Sequence, residues 1–134
     1  MCNACRKGDS IMAAESAKGL IHLFSERFAS GDIEGLMELY EEDAVFPNHH
    51  TTARGAEAIR SILQGYIDSG AELKFDRQVA FETGDLALVQ NGWTLTTAAG
   101  DKMKGATVEV ARRQKDGTWK YVIDSPDGEA LLRD

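Results

Sequence analysis

The spacing of apolar residues changes once along this chain of 134 residues, at Gly70. Before that glycine, apolar residues recur every three or four positions, as one face of an amphipathic helix requires. After it they alternate with polar residues, which is typical of strands with one buried face. Helices followed by strands predict an α+β domain, with three helices packed on one face of a curved, mainly antiparallel sheet.

Three helices are predicted. The first covers residues 16–30, is closed by Gly31, and has an apolar face of Ala17, Leu20, Ile21, Phe24 and Phe28. Asp32 caps a short second helix, whose buried face is Ile33, Leu36, Met37 and Tyr40. A short extended piece at 44–46 then ends at Pro47 and leads into the polar loop 48–52. The third helix covers residues 56–68 and stops at Gly70.

Four strands follow, over residues 73–81, 86–97, 103–114 and 118–123. The segments between them, at 83–85, 99–101 and 116–117, combine glycine with aspartate and are typical of hairpin turns. The pattern predicts an antiparallel meander.

The size of the chain, 14.6 kDa, fits one domain, with a flexible segment at 1–15 and a single domain at 16–134. Apolar runs are four or so residues long, far below the roughly 20 that a membrane-spanning helix needs. The N-terminus has no apolar core of a secretory signal. The sequence therefore predicts a soluble cytoplasmic protein with no membrane partner.

The charge balance excludes nucleic acid as a partner. Fifteen Lys and Arg against 22 Asp and Glu give a net charge of −7. The basic clusters, Arg6–Lys7 and Arg112–Arg113, are too short to follow a phosphate backbone.

Metal and cofactor sites are not indicated either. Cys2 and Cys5 form a C-x-x-C pair, but a zinc site needs two further ligands and a redox motif needs a strand-to-helix junction, so a structural or incidental role is favoured. His49 and His50 with Glu109 and Asp124 could imitate a metal site, yet adjacent loop histidines need not share a direction. We expect neither a metal nor a cofactor.

The register of the last two strands decides which residues share a face. A two-residue loop at Asp116–Gly117 would place Glu109 directly opposite Asp124. The same mixed face then carries Thr107, Ala111, Val122, Gln90, Gly92 and Thr94. The other face is apolar and collects Trp93, Leu95, Val108, Val110, Trp119, Tyr121 and Ile123. A three-residue bulged loop would shift this register by one.

Two interpretations of these faces are open. In the first, the apolar face packs against the helices, and the two carboxylates lie in water. In the second, the mixed face lines a cavity roofed by the helices, and the apolar face is left for a partner.

The segment from Ile21 to Asp124 resembles the ketosteroid-isomerase-like, SnoaL-like branch of the nuclear-transport-factor-2-like superfamily. The resemblance rests on short motifs at 28–32, 39–46 and 55–59, and on the closing hairpin over 108–124. It implies a cone-shaped α+β barrel, commonly a homodimer, with a cavity between the helices and the concave sheet. The resemblance therefore favours the cavity interpretation, and with it a homodimer through Trp93, Val108, Val110, Tyr121 and Ile123.

A classical ketosteroid isomerase is not implied. The tyrosine that would stabilise an oxyanion falls at Phe24, which has no hydroxyl, and the aspartate base falls at Asn48. Only Glu109 stands where the resemblance places an acid. The candidate catalytic residues are Glu109, Asp124 and His49, although the histidine pair could equally be a solvated loop. The expected cavity lining is Phe24, Tyr40, Phe46, Asn48, His50, Gln90, Thr94 and Val122.

Two functions are consistent with these residues. The first is a protein that binds a small apolar molecule, and in its enzymatic form isomerises, cyclises or hydrates an apolar carbonyl compound by acid–base chemistry. The second is a non-catalytic association module with a vestigial cavity, because the same fold serves both purposes. An open cavity with buried carboxyl groups would favour the first.

Overall fold

The computed structural model describes residues 13–48, 51–128 and 130–132. Its helices are α1 (Gly19–Ser30), α2 (Ile33–Met37) and α3 (Ala56–Asp68), with a 3₁₀ turn at Ala130–Leu132. Its strands are β1 (Tyr40–Pro47), β2 (Thr52–Arg54), β3 (Glu72–Thr83), β4 (Leu86–Thr96), β5 (Lys102–Ala106), β6 (Val108–Arg113) and β7 (Trp119–Ser125). The predicted α+β class is confirmed. The predicted flexible segment 1–15 and its cysteines lie outside the described residues, except for residues 13–15, of which Ala14 is buried and bridges Trp119.

The helix ends follow from local chemistry. Gly31 adopts a left-handed conformation, with φ of 72°, and closes α1 as predicted. The Asp32 carboxylate accepts a hydrogen bond from the Gly35 amide at 2.9 Å and so caps α2. Tyr40 is not helical, because the chain turns at Glu38–Leu39 and continues as β1.

The strands form one curved, mixed sheet in the order β2-β1-β7-β6-β4-β3, with β5 also paired to β4. The pairing of β1 with β7 is parallel, and the other pairings are antiparallel. The single predicted strand 103–114 is divided at Thr107 into β5 and β6. The core lies between the helices and the concave face of the sheet, which we call the inner face.

The loop between β6 and β7 is one residue longer than the two-residue loop predicted at Asp116–Gly117, and β4 pairs with β5 one residue away from the register that placed Gln90 on the face of Thr107. Gln114 N donates to Thr118 O at 2.6 Å, and Thr97 N donates to Asp101 O at 2.8 Å. Each loop ends in a glycine with positive φ, 88° at Gly117 and 96° at Gly100, as three-residue hairpin loops require.

The two loops have different consequences for the register of the strands that they join. Between β6 and β7, a bulge at Val122 shifts the register back, so Glu109 does pair with Asp124. The pairing of β4 with β5 contains no bulge that would restore the predicted register, and Trp93 pairs with Gly105. The predicted faces of β4 are therefore reversed, and so are those of Trp119 and Tyr121, which precede the bulge in β7.

Candidate functional site

A cavity of about 270 Å³ lies between the helices and the inner face of the sheet. Its wall is mostly apolar and strongly aromatic, with a few polar groups: Ile21, Phe24, Phe28, Phe46, Pro47, Asn48, Leu63, Tyr66, Leu73, Phe75, Trp93, Leu95, Met103, Thr107, Glu109, Asp124, Pro126 and Asp127. This composition is typical of a site for a small apolar ligand that a few polar groups orient.

The aromatic wall is held by ring contacts and one hydrogen bond. Phe24 stacks on Phe28 with ring centroids 6.0 Å apart and meets Phe75 edge-on at 6.2 Å. The Trp93 indole donates to the Pro126 carbonyl at 2.7 Å and lies over Gly105, where a Cβ would overlap the ring. Gly105 therefore makes room for the Trp93 side chain in the wall.

Two carboxyl groups meet in this wall. Glu109 on β6 and Asp124 on β7 are cross-strand partners, 2% and 5% exposed, and their side chains are hydrogen-bonded to each other. Two ionised carboxylates in contact repel strongly when both are buried, so one of them holds a proton at neutral pH.

Burial is the main cause of the perturbed acidity of both groups. It raises the pKa of Asp124 to about 6, although the hydrogen bonds from Tyr40 and Glu109 oppose the increase. Burial and then the neighbouring charge of Asp124 raise the pKa of Glu109 well above its ordinary value. The pair thus places one hydrogen-bond donor, the Glu109 carboxyl group, and one acceptor, the Asp124 carboxylate, next to each other in the cavity wall.

Each carboxyl group has its own supporting donor. Tyr40, the first residue of β1, donates its hydroxyl to Asp124 Oδ2 at 2.5 Å. Asn91 on β4 donates to Glu109 Oε1 at 2.9 Å, and its backbone amide donates to Thr107 Oγ1, also at 2.9 Å. The Tyr121 hydroxyl is buried beside Tyr40, with ring centroids 5.3 Å apart, but has no hydrogen-bond partner among the residues that the structure describes.

A second polar contact lies where β1 ends. The side chains of Asn48 and Tyr66 are hydrogen-bonded to each other, and burial raises the pKa of the Tyr66 hydroxyl. His49 and His50, which follow Asn48, lie outside the described residues, so their predicted roles stay predictions.

The structure places the other sequence-predicted residues as follows. Phe24, Phe46 and Asn48 line the cavity, as do Glu109 and Asp124. Tyr40 does not line it but lies behind Asp124. The assignment of Gln90, Thr94 and Val122 to the cavity is wrong: the first two lie on the outer face, because the β4 register is shifted, and Val122 forms the bulge of β7.

The five residues predicted to form the homodimer interface also need correction. Trp93 lines the cavity, and Tyr121 is fully buried on the inner face. Val108, Val110 and Ile123 do lie on the opposite, outer face. One apolar row crosses five strands there through register partners, in the order Phe81, Leu88, Val110, Ile123 and Val45.

The sequence did not indicate Asn91, and it predicted Tyr40 as cavity lining without its hydrogen bond to Asp124. Asn91 is 1% exposed at a position assigned to the outer face, and its role depends on the β4 register. Tyr40 was treated as cavity wall, and nothing in its local sequence indicates a bond to a residue 84 positions away. An apolar β4 run with one embedded asparagine was the available signal for a buried polar contact.

The described part of the chain contains neither a metal-binding cluster nor a membrane-crossing helix. Residues 13–48, 51–128 and 130–132 contain no cluster of His, Cys, Asp and Glu that could hold a metal ion. None of the helices within those ranges is long and apolar enough to cross a membrane.

Comparison with known proteins identifies the family. The model of the SnoaL-like domain matches residues 21–122, about three quarters of the chain, and the chain belongs to this family. No curated protein matches the sequence.

Solved structures with the same fold support this assignment. An NTF2-like protein with a cystatin-like fold from Novosphingobium aromaticivorans is 23% identical, with a TM-score of 0.69 over 86% of this chain and 85% of that one. An NTF2-like protein of unknown function from Pseudomonas putida KT2440 is 17% identical, with a TM-score of 0.71 over 81% and 80%. A protein provisionally named as a ketosteroid isomerase, from Parabacteroides distasonis, is 23% identical, with a TM-score of 0.64 over 80% and 83%. At these identities the likeness concerns the fold.

Proposed function

We propose that this protein binds a small apolar carbonyl compound in the cavity and moves its protons through the Glu109–Asp124 pair. The fold belongs to a family suited to small-molecule binding, and the proposed reaction is a cofactor-independent isomerisation or a related acid–base step. The likeness to a protein provisionally named as a ketosteroid isomerase supports this class of chemistry.

One observation carries the proposal: two hydrogen-bonded carboxyl groups are buried in the wall of a mostly apolar cavity. Burying a carboxylate costs several kcal/mol, and apolar residues of similar size often stabilise a core better than buried charges do. Strongly shifted acid groups in a cleft are instead typical of sites that transfer protons. Burial of the pair thus lowers the stability of the fold, and its shifted acidity suits it to proton transfer.

The proposed step is balanced without an oxidant or a reductant. The Asp124 carboxylate removes a proton from the carbon next to the ligand carbonyl, and the electrons of that C–H bond form a C=C bond. The carbonyl electrons move onto oxygen, which takes the Glu109 proton. When the ligand carries a C=C bond between its β and γ carbons, this product is a dienol. The proton on Asp124 then returns to the γ carbon and the hydroxyl proton to Glu109, which gives the conjugated isomer and restores both groups.

We further propose that the protein is a homodimer through the outer face. Phe81, Leu88 and Ile123 of the apolar row are 66%, 42% and 38% exposed, and Val79 and Leu86 beside them are exposed as well. Monomers rarely leave a contiguous apolar patch of this kind in water. A second copy of the same row would cover it without a polar mismatch.

Hydrogen–deuterium exchange at the carbons next to a carbonyl tests the acid–base function. The probe is 1-tetralone, an aromatic ketone with exchangeable protons, observed by NMR in D2O with and without the protein. We expect exchange well above the buffer rate, and a decrease of about a hundredfold or more in Asp124→Asn and in Glu109→Gln.

Asp101→Asn is the matched control, because Asp101 is an exposed turn residue away from the cavity. It should exchange the probe at the unmodified rate. If neither binding nor exchange were detected for 1-tetralone or a panel of apolar ketones, the association module would become the better interpretation.

A further inference from the structure

The two carboxyl groups are not equivalent, because their supporting hydrogen bonds differ. Asp124 Oδ2 accepts from the Tyr40 phenol at 2.5 Å, whereas Glu109 Oε1 accepts from the Asn91 amide at 2.9 Å. Hydroxyl donors to an ionised carboxylate lie at about 2.5–2.7 Å, and an amide at 2.9 Å is ordinary for a neutral acceptor. Both lengths fit a negative charge on Asp124 and a neutral Glu109.

We propose that Tyr40 is a positioning residue that assigns the roles in the pair, holding the negative charge on Asp124 and leaving the proton on Glu109. The purpose of this assignment rests on the proposed function, since it makes Asp124 the base and Glu109 the acid. The assignment itself is a property of the unliganded protein and can be measured without a substrate.

The backbone holds Tyr40 rigidly in place. Tyr40 is the first residue of β1, is 3% exposed, and pairs in parallel with Tyr121. The carbonyl of the preceding residue, Leu39, accepts the Tyr121 amide at 2.7 Å. The sheet therefore fixes the Tyr40 hydroxyl against Asp124, on the side of the carboxylate that does not line the cavity.

The described groups that face Asp124 come from four elements. They are Tyr40 on β1, Glu109 on β6, Tyr121 on β7 and, more distantly, Tyr66 on α3. Burial raises the pKa of each of the three tyrosines, so they are neutral near pH 7. Of these tyrosines, Tyr40 is the one whose hydroxyl is hydrogen-bonded to the carboxylate.

The neighbouring Tyr121 supplies a matched control. It is as buried as Tyr40, its ring contacts the Tyr40 ring, and its hydroxyl has no hydrogen-bond partner in the described part of the chain. Tyr40→Phe and Tyr121→Phe each remove one buried hydroxyl beside the pair, but only the first removes a hydrogen bond to Asp124. A general effect of polarity would act in both variants.

The experiment is a carboxyl ¹³C NMR titration of Asp124 in the unmodified protein and in the two variants. We expect Tyr40→Phe to raise the Asp124 pKa by about one unit, and Tyr121→Phe to change it by a few tenths at most. Exchange of 1-tetralone at pH 6 should then fall about fivefold in Tyr40→Phe and recover at pH 8, where Asp124 is ionised in both proteins. A purely structural role would not move this pH profile.

A second measurement needs no variant. In protein labelled with ¹³Cζ-tyrosine, the Tyr40 signal should shift with the same midpoint as the Asp124 carboxyl, and by more than the Tyr121 signal. The assignment would be overturned by an unchanged Asp124 pKa in Tyr40→Phe or by equal pKa changes in both variants. It would also be overturned if the Tyr40 signal did not shift as Asp124 titrates. Absence of exchange in the unmodified protein, with these titrations as expected, would overturn the proposed function alone.

Discussion

Replacing Asp124 by Asn is expected to stabilise the protein at neutral pH and to leave its stability nearly unchanged near pH 4. The native pKa of Asp124 is about 6, against an ordinary value of 3.8. At about 1.4 kcal/mol for each unit, ionised Asp124 lowers the free energy of unfolding by about 3 kcal/mol. Asn has the same shape and still accepts from Tyr40, but it carries no charge.

The sign of the pH dependence follows from the higher native pKa. Between about pH 4 and pH 6 the native state binds more protons than the unfolded chain, so its stability falls as the pH rises. The stabilising contribution of protonated Asp124 is full below about pH 4 and is lost above about pH 6. Glu109, whose pKa is also raised, extends the decline to higher pH.

Urea denaturation at several pH values between 4 and 8 measures this effect. The difference in unfolding free energy between Asp124→Asn and the unmodified protein should grow from near zero to about 3 kcal/mol. Asp101→Asn, in an exposed turn, should differ by a constant of less than about 0.5 kcal/mol. A difference for Asp124→Asn that stayed constant across this range would refute the burial of an ionisable Asp124.

Three further predictions concern the cavity wall, the outer face and the histidine loop. Gly105→Ala should displace the Trp93 indole into the cavity, weakening 1-tetralone binding and costing about 1–3 kcal/mol in urea denaturation, whereas Gly65→Ala, which has open space around it, should cost nothing. Leu88→Lys should give a monomer in sedimentation at micromolar concentration, where the unmodified protein is expected to be a dimer; a monomeric unmodified protein would contradict the proposed interface. His49→Ala and His50→Ala should weaken 1-tetralone binding in calorimetry, because Asn48 next to them lines the cavity, and unchanged binding in both would make the loop an ordinary connection.

The helices and the overall fold were predictable from the sequence because their signals are local. The limits of α3 follow from apolar spacing and two glycines, and they match the structure to the residue. The order of strands was less accessible, because the parallel pairing of β1 with β7 joins residues about 80 positions apart. No spacing rule within a short window reports such a contact.

The faces of the sheet were predicted only in part, because a shift of one residue inverts a whole strand. Glu109 and Asp124 were paired correctly although the turn was one residue longer than assumed, since the bulge at Val122 cancelled the error. No such bulge lies between β4 and β5, so Trp93 was placed on the outer face and Asn91 was missed. Loop length and bulges depend on backbone geometry that alternation alone does not encode.

Glu109 and Asp124 are expected to share one proton in the wall of the mostly apolar cavity. Carboxyl ¹³C NMR titration of both side chains in the unmodified protein tests it most directly. We expect the pair to lose its protons in two coupled steps, with Asp124 ionising near pH 6 and the pKa of Glu109 well above its ordinary value of 4.5. Independent ionisation of both groups near 3.8 and 4.5 would contradict it.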